Sequence, residues 1–187
     1  MAFLGEICHR KRNFGYFAGC FGYLLYSFFC FFWGCEKKIV SLFANGMEKL
    51  KKILSRSDVR GVLLTQHGEV VEFHNPGVKD LYCLLTTRPH ALEGACVADR
   101  VIGRGAALLL VRGKVAEVFA QVISSPAVQV LREAGVTVSF GTVVPSIVNR
   151  DGTDICPVEK LTMDVYDPEE AFVKIKEFLT NNNIIES

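Results

Sequence analysis

The sequence lacks a strong excess of charge of either sign. Its 187 residues contain 21 Lys and Arg against 20 Asp and Glu, which gives a formal net charge of +1 at pH 7. Domains that bind nucleic acid usually carry a clear basic excess. We therefore expect no nucleic-acid partner, and the length is typical of one domain with an extension.

Paired cysteine motifs are absent as well. The chain has seven cysteines but no CxxC pair, and four of the seven lie in the N-terminal segment. A disulfide framework or a zinc knuckle needs closely spaced pairs. We therefore expect reduced thiols in a cytoplasmic domain, with no cofactor and no metal site. The three remaining cysteines are Cys83, Cys96 and Cys156.

Charge is missing altogether from Phe14 to Gly34, an apolar run with basic residues on both sides. Its length suits a membrane span, which needs about 20 apolar residues. It is rich in Phe, Tyr, Cys and Gly, which is unusual for a spanning helix. Two interpretations stay open: a membrane anchor, or a mis-assigned start with the natural chain beginning at Met47. We therefore divide the chain into an extension at 1–46, a domain at 47–180 and a tail at 181–187.

The domain begins with alternating helix and strand patterns. Met47 to Arg56 has apolar residues at helical spacing and predicts a surface helix. Val59 to Gln66 and Glu69 to His74 predict two strands of a hairpin around His67-Gly68, since a two-residue connection ending in glycine favours a tight turn. Val78 to Thr87 again has a helical pattern.

The longest apolar run of the domain extends from Gly94 to Val111. Apolar residues recur in it at helical spacing from Cys96 through Val101 to Ala106, and the pattern then becomes apolar on all sides. We therefore predict one buried helix that begins near Cys96.

The second half of the domain predicts a parallel strand–helix–strand unit. Val115 to Val122 and Val136 to Val144 are rich in β-branched residues, and Ser124 with Pro126 is a typical helix start between them. Residues 145–160 predict a loop, and a last helix follows Asp167. The order of elements indicates a three-layer α/β/α domain with a mixed sheet.

Polar residues are most concentrated between Asn149 and Glu159. One interpretation is a turn-rich surface loop. The other is a functional loop, in which Cys156 is a thiol nucleophile or ligand, Glu159 an acid or base and Arg150 a group that holds an anion. No histidine lies close in sequence to activate the thiol. Both interpretations stay open.

Charged residues inside the long apolar run are further candidates. Asp99 either occupies an exposed first turn of the predicted helix or faces a pocket as a catalytic group. Arg104, between two glycines, could hold an anion together with Ser124. The Gly-x-Gly pattern lacks the third glycine of a dinucleotide-binding loop, so close helix packing is the other interpretation. His67 begins an H-x-E sequence, but no P-C-x-x-C accompanies it, and a solvated turn is expected.

Four stretches together resemble a known bacterial family, domain-of-unknown-function family 1893. The resemblance covers about Met47 to Leu179. It implies a fold of the cytidine-deaminase-like superfamily, whose helix–strand–strand–helix–strand–helix order is similar to the order predicted above. The stretches that carry it are Asp99 to Leu109, Ser125 to Gly135, Val144 to Leu161 and Pro168 to Leu179.

The same resemblance indicates that zinc is not used. In zinc deaminases two helix starts carry the metal ligands, and the matching positions here lie near Cys96 to Asp99 and Ser124 to Val128. They offer no histidine and no cysteine pair, so three zinc ligands with an open fourth position are not visible. The resemblance therefore implies the fold without zinc-dependent deamination.

Three hypotheses of function follow. The first is a domain that binds a small nucleotide-like or anionic metabolite at the N-termini of the helices starting near Asp99 and Ser124, with Cys156 as nucleophile if a reaction occurs. The second is a non-catalytic binding or regulatory module, tethered to a membrane if Phe14 to Gly34 is an anchor. The third is a metal site that uses Cys96 and Cys156. The sequence predicts no oligomeric state.

Overall fold

The structure is a computed structural model that describes residues 46–186. The predicted span from Phe14 to Gly34, and the alternative of a natural start at Met47, concern residues that lie outside this range or at its edge. Within residues 46–186, no helix has the length and apolarity needed to cross a membrane.

The described residues form an α/β domain with a mixed five-stranded sheet. Its strands lie in the order β2-β1-β3-β4-β5, with β1 antiparallel to both neighbours and β3, β4 and β5 parallel. The helices are α1 (46–54), α2 (Lys79–Thr87), α3 (Arg104–Arg112), α4 (Ser125–Glu133), α5 (Pro157–Leu161) and α6 (Pro168–Asn181). The strands are β1 (Gly61–Leu64), β2 (Val70–Phe73), β3 (Cys96–Ile102), β4 (Glu117–Ser124) and β5 (Thr137–Val144).

Helices cover both faces of the sheet. Val62 and Leu63 are neighbours in β1 but belong to different core clusters, because successive side chains of a strand point to opposite faces. Leu50 and Leu54 of α1 pack in the cluster of Val62, whereas α2, α3, α4 and α6 contribute to the cluster of Leu63. The predicted α/β class with a mixed sheet is confirmed.

Two predictions about local structure hold well. The hairpin is formed by β1 and β2, and Gly68 has φ +85° in the turn, a conformation that favours glycine. The parallel unit of β4, α4 and β5 is also confirmed, and Ser124 caps α4 by accepting a hydrogen bond from the Ala127 N–H at 3.3 Å.

The prediction of one helix from Cys96 to Val111 is wrong. Residues 96–102 form β3, and α3 begins only at Arg104, after Gly103 in an extended conformation. Val97 and Ile102 pack in the same core cluster although they lie five residues apart, which a regular two-residue alternation does not allow. The paired positions between β3 and β4 omit Arg100. Because the alternation breaks at Arg100, the buried residues of β3 are not spaced by two, and their spacing resembles that of a helix.

The predicted loop at 145–160 contains one short helix. A single bridge joins Val148 to Ile155, and the Asn149 side chain closes the turn by accepting hydrogen bonds from the N–H groups of Thr153 and Asp154. Helix α5 follows with Pro157 at its first position, where proline loses no intrahelical hydrogen bond.

Candidate functional site

Two helices begin at the carboxyl ends of the parallel strands, which we call the carboxyl edge of the sheet. The parallel strands β3, β4 and β5 end at Ile102, Ser124 and Val144, and α3 and α4 begin within two residues of the first two strand ends. The chain after β5 leaves from the same edge and leads to α5. Ligands of open α/β sheets bind outside the carboxyl ends of the strands, so this edge is the natural place for a site.

The side chain of Glu159, on α5, reaches the N-terminus of α3. It is 4% exposed, and its Oε2 accepts a hydrogen bond from the Arg104 N–H at 2.6 Å. The N-cap residue is Gly103, which has no side chain to accept hydrogen bonds from the first turn of α3, so the Glu159 carboxylate supplies an acceptor at this end. A Cβ on Gly103 would lie 2.3 Å from Oε2, so the carboxylate occupies the space that a larger residue would need.

Arg104 stabilises α5 in return. Its side chain is 7% exposed, and its Nε and Nη2 each donate a hydrogen bond of 2.7 Å to the carbonyls of Thr162 and Val165, after the end of α5. Positive charge near carbonyls at a helix C-terminus is favourable. We call these three hydrogen bonds the Glu159–Arg104 clasp, because each residue satisfies backbone groups at the end of the other residue's helix.

One oxygen of the clasp is left without a partner. Glu159 Oε1 is buried and accepts no hydrogen bond from any group in residues 46–186. Leaving a buried acceptor unpaired costs about 1–3 kcal/mol, and more for a charged group. An amino, hydroxyl or water donor would satisfy it, so Oε1 is an unfilled acceptor at the carboxyl edge of the sheet.

The other predicted residues of this edge differ in their surroundings. Ser124 is fully buried and acts as the cap of α4, whereas Ser125 is exposed and donates a hydrogen bond to the Val144 carbonyl at 3.3 Å. Arg150 is exposed at the tip of the 145–156 loop. Its positive charge therefore lies at the protein surface and not in a buried contact.

Cys156 lies half-buried immediately before α5. Its N–H donates a hydrogen bond of 2.8 Å to the Ile147 carbonyl, which ties the base of the loop together. The histidines among the described residues lie elsewhere: His67 in the hairpin turn, His74 beside the Asp58 carbonyl and His90 beside Glu93. Within residues 46–186, no histidine is therefore placed to take a proton from this thiol.

Asp99 lies in β3 and not in the first turn of a helix, so that predicted position is wrong. Its Oδ1 accepts a hydrogen bond from the Val101 N–H at 2.9 Å, and Gly61 opposite it leaves room for the carboxylate. Burial raises the pKa of Asp99 to about 7, although the hydrogen bond to Val101 and the charge of Arg100 lower it.

The surroundings of Asp99 separate it from the clasp. Gly61 contacts it from β1, and the charge of Asp80 on α2 is close enough to raise its pKa. Arg100 points to the other face and donates hydrogen bonds to the Leu54 and Arg56 carbonyls at the end of α1. The predicted catalytic set thus divides: Glu159 lies on α5 and Cys156 immediately before it, whereas the contacts of Asp99 are with Val101 and Gly61.

The structure also overturns the metal hypothesis for Cys96 and Cys156. Cys96 is fully buried at the start of β3, where burial and the Glu117 carboxylate raise the pKa of its thiol to about 12. Cys156 lies beyond the carboxyl ends of the strands, whereas Cys96 lies at the start of β3. The length of β3, at about 3.3 Å per residue, separates the two thiols by about 20 Å. Within residues 46–186, no group of three His, Cys, Asp or Glu is arranged to hold a metal.

Comparison with known families agrees with this architecture. Residues 49–179 match the family described as a domain of unknown function (DUF1893), which is more than half of the chain. The chain belongs to the DUF1893 family. The resemblance stated from the sequence is thereby confirmed for the family.

A solved structure of the DUF1893 family is similar to this domain. The crystal structure of a DUF1893 family protein (TM1506) from Thermotoga maritima has 30% sequence identity and a TM-score of 0.66. The similarity covers 72% of this chain and 90% of that chain. No curated protein matches the sequence.

The clasp of this DUF1893 domain is a feature that the sequence pattern did not reveal. The long apolar run hides the true start of α3, so the sequence leaves the Gly103-Arg104-Gly105 pattern open between an anion site and close helix packing. A glycine at a helix start leaves an N–H group without a local acceptor. That missing cap is the signal that would have pointed to a distant carboxylate such as Glu159.

Proposed function

We propose that this DUF1893 domain binds a small polar metabolite at the carboxyl edge of its parallel strands. The observation that carries the proposal is the buried Oε1 of Glu159, which accepts no hydrogen bond within residues 46–186. Native proteins rarely leave such an atom unpaired without a reason. A ligand that donates a hydrogen bond at this position would supply the missing partner.

The chemistry of the edge favours a nucleotide-like compound. An amino or hydroxyl group of the ligand would donate to Glu159. An anionic group would gain from the N-terminus of α4, where Ser125 is exposed, and from the positive charge of Arg150 on the adjoining loop. Nucleotides and sugar phosphates carry both kinds of group.

A non-catalytic module is the second candidate, and one observation favours it. Asp99 lies apart from Cys156 and Glu159, and the contacts of Glu159 and Arg104 hold two helices together. Binding without chemistry needs none of the three to act on a substrate. Cys156 stays the candidate nucleophile if the bound compound is transformed.

The cytidine-deaminase-like class belongs to this proposal as well. It is supported by the order of elements, with a hairpin after α1 and two strand–helix units that start α3 and α4 at one edge. The residues at these two helix starts are Gly103, Arg104 and Gly105, and Ser124 and Ser125. None of them is a zinc ligand, so this set does not fit a catalytic zinc and we propose no deamination through one.

A thermal-shift screen of the full chain tests the proposal. Nucleosides, nucleotides and sugar phosphates are added in turn, and a compound that binds only the folded protein raises Tm. Glu159→Gln places an amide near the unfilled position, where its NH₂ group opposes a ligand donor. We expect at least one compound to raise Tm of the wild type and of the exposed control Glu177→Gln, but not of Glu159→Gln. If no compound of these classes shifts Tm, the proposal is wrong.

A further inference from the structure

The chain between β5 and α5 covers the Glu159 carboxylate. The side chain of Ile147 and the Oε2 atom of Glu159 meet above Gly103, because a Cβ on that glycine would lie 3.2 Å from Ile147 Cγ1 and 2.3 Å from Oε2. The other oxygen of the carboxylate, Oε1, is buried and has no hydrogen-bond partner within residues 46–186. A ligand in solution therefore cannot reach Oε1 unless part of this cover moves.

Residues 145–156, which we call the lid, are bonded mainly to one another. A bridge joins Val148 to Ile155, and the Asn149 side chain closes the turn between them. The other hydrogen bonds of the lid go to Lys160 on α5. Among the described residues, no hydrogen bond joins the lid to the sheet, to α3 or to α4. The lid is thus stiff within itself, and only packing holds it over the carboxyl edge.

The ends of the lid and its exposure suit a hinged movement. Pro145 begins the lid and Pro157 follows it, and a proline has no N–H to donate to a neighbouring strand or helix. No residue of the lid is buried. Segments with few buried apolar contacts open locally at a free energy well below that of unfolding the whole domain.

We propose that the lid swings as one piece and that its opening admits the ligand to Glu159. Because the clasp joins α3 to α5, the Ile147 side of the cover is the part that can move. The lid rests on the proposed function, since a carboxylate that binds no ligand needs no such access. Closure over a bound compound would exclude water and strengthen the hydrogen bond at Oε1.

Native-state hydrogen exchange of the full chain without ligand tests the movement. The Arg104 N–H is bonded to Glu159 Oε2 at the covered end of α3. It should exchange through a local opening that depends little on urea, because such an opening exposes little surface. The Leu109 N–H in the middle of α3 is the internal reference and should exchange only when the whole domain unfolds. Equal urea dependence and equal opening free energies at the two amides overturn the proposal.

Two alanine variants assign the local opening to the lid. Ile147→Ala removes side-chain atoms that lie against the Glu159 carboxylate, so the Arg104 amide should exchange faster relative to Leu109. Val148→Ala is the matched control, because Val148 is the next residue and is 58% exposed, and it should leave this ratio unchanged. A ratio that neither variant changes, or that both change equally, overturns the proposal. The urea dependence in the wild type decides the case if Ile147→Ala does not fold.

The lid and the ligand site fail in different ways. The exchange rates need no ligand, so the absence of a local opening at Arg104 removes the lid even if a compound raises Tm. The reverse result is a local opening that responds to Ile147→Ala, together with a screen in which no compound raises Tm. That result contradicts the ligand site, and with it the admission of a ligand by the lid, although the movement itself is then established.

Discussion

Glu159 and Arg104 cap each other's helices from 55 residues apart in the chain. The carboxylate accepts the first N–H of α3, and the guanidinium donates to two carbonyls after α5. Both side chains are buried. Their hydrogen bonds take the place of the water that the backbone groups at these helix ends lose on folding. The clasp fixes α5 against the edge where α3 begins.

Arg104→Met should lower the free energy of unfolding by about 2 kcal/mol or more. The methionine keeps much of the side-chain volume but leaves the Thr162 and Val165 carbonyls unpaired, and each buried unpaired group costs about 1–3 kcal/mol. Arg132→Met on α4 is the control, since Arg132 is exposed. Urea unfolding of the three proteins measures the difference. Equal losses in the two variants would mean that the clasp does not stabilise the fold.

Gly103→Ala should destabilise the protein because of the carboxylate and not because of the backbone. Gly103 has φ −96°, which alanine adopts freely, but its Cβ would lie 2.3 Å from Glu159 Oε2. Overpacking of this kind costs about 1–3 kcal/mol. The cost should shrink when Gly103→Ala is made in a Glu159→Ala background, where the space is empty. A double-mutant cycle by urea unfolding measures this coupling, and simple additivity would speak against it.

Asp99 should make the folded protein less stable as the pH rises. Burial raises its pKa to about 7 in the folded state, from an ordinary value of 3.8. The contribution of the neutral carboxyl to stability is fully present below pH 3.8 and is lost as the pH rises through 7. At about 1.4 kcal/mol per pKa unit, the loss is at most about 4 kcal/mol.

Asp99→Asn isolates this effect, because the amide does not titrate and its oxygen still accepts from the Val101 N–H. Because only the wild type loses stability as the pH rises, the unfolding free energy of Asp99→Asn minus that of the wild type should be larger at pH 8 than at pH 5. Denaturant titrations at pH 5 and pH 8 measure this difference. The effects of the other titrating groups are the same in both proteins and cancel. A difference that does not change with pH means that the carboxyl titrates normally.

The three described cysteines should react with thiol reagents at different rates. Cys96 is fully buried and its pKa is raised to about 12, so alkylation of the native protein at pH 8 should leave it intact. Cys156 and Cys83 are half-buried and should react first. Mass spectrometry of peptides after timed iodoacetamide labelling follows each site. Rapid labelling of Cys96 in the folded protein would contradict its burial.

The sequence predicted the elements whose signals are local. Gly68 identified the hairpin turn, and Ser124 with Pro126 identified the start of α4, because turn and cap preferences depend on neighbouring residues. The pattern failed at Cys96 to Ile102, where an irregular strand places Val97 and Ile102 in the same core. Only the pairing with β1 and β4 determines that these residues are extended.

The candidate site was predicted in part for the same reason. Glu159, Cys156 and Ser124 do lie on elements that meet at the carboxyl edge, as expected for a loop after a parallel strand. The separation of Asp99, and the use of Arg104 as a cap, depend on contacts between residues far apart in the chain. No local pattern encodes such contacts.

The Arg104 amide offers the most direct test of the proposed site. Its N–H donates to the Glu159 carboxylate, and the other oxygen of that carboxylate, Oε1, accepts no hydrogen bond within residues 46–186. Nitrogen-15 NMR of the full chain follows this signal as nucleotides and sugar phosphates are added. We predict a saturable shift of the Arg104 signal with at least one compound, and its loss in Glu159→Gln. An Arg104 signal that no compound of either class moves would contradict a ligand site at Glu159.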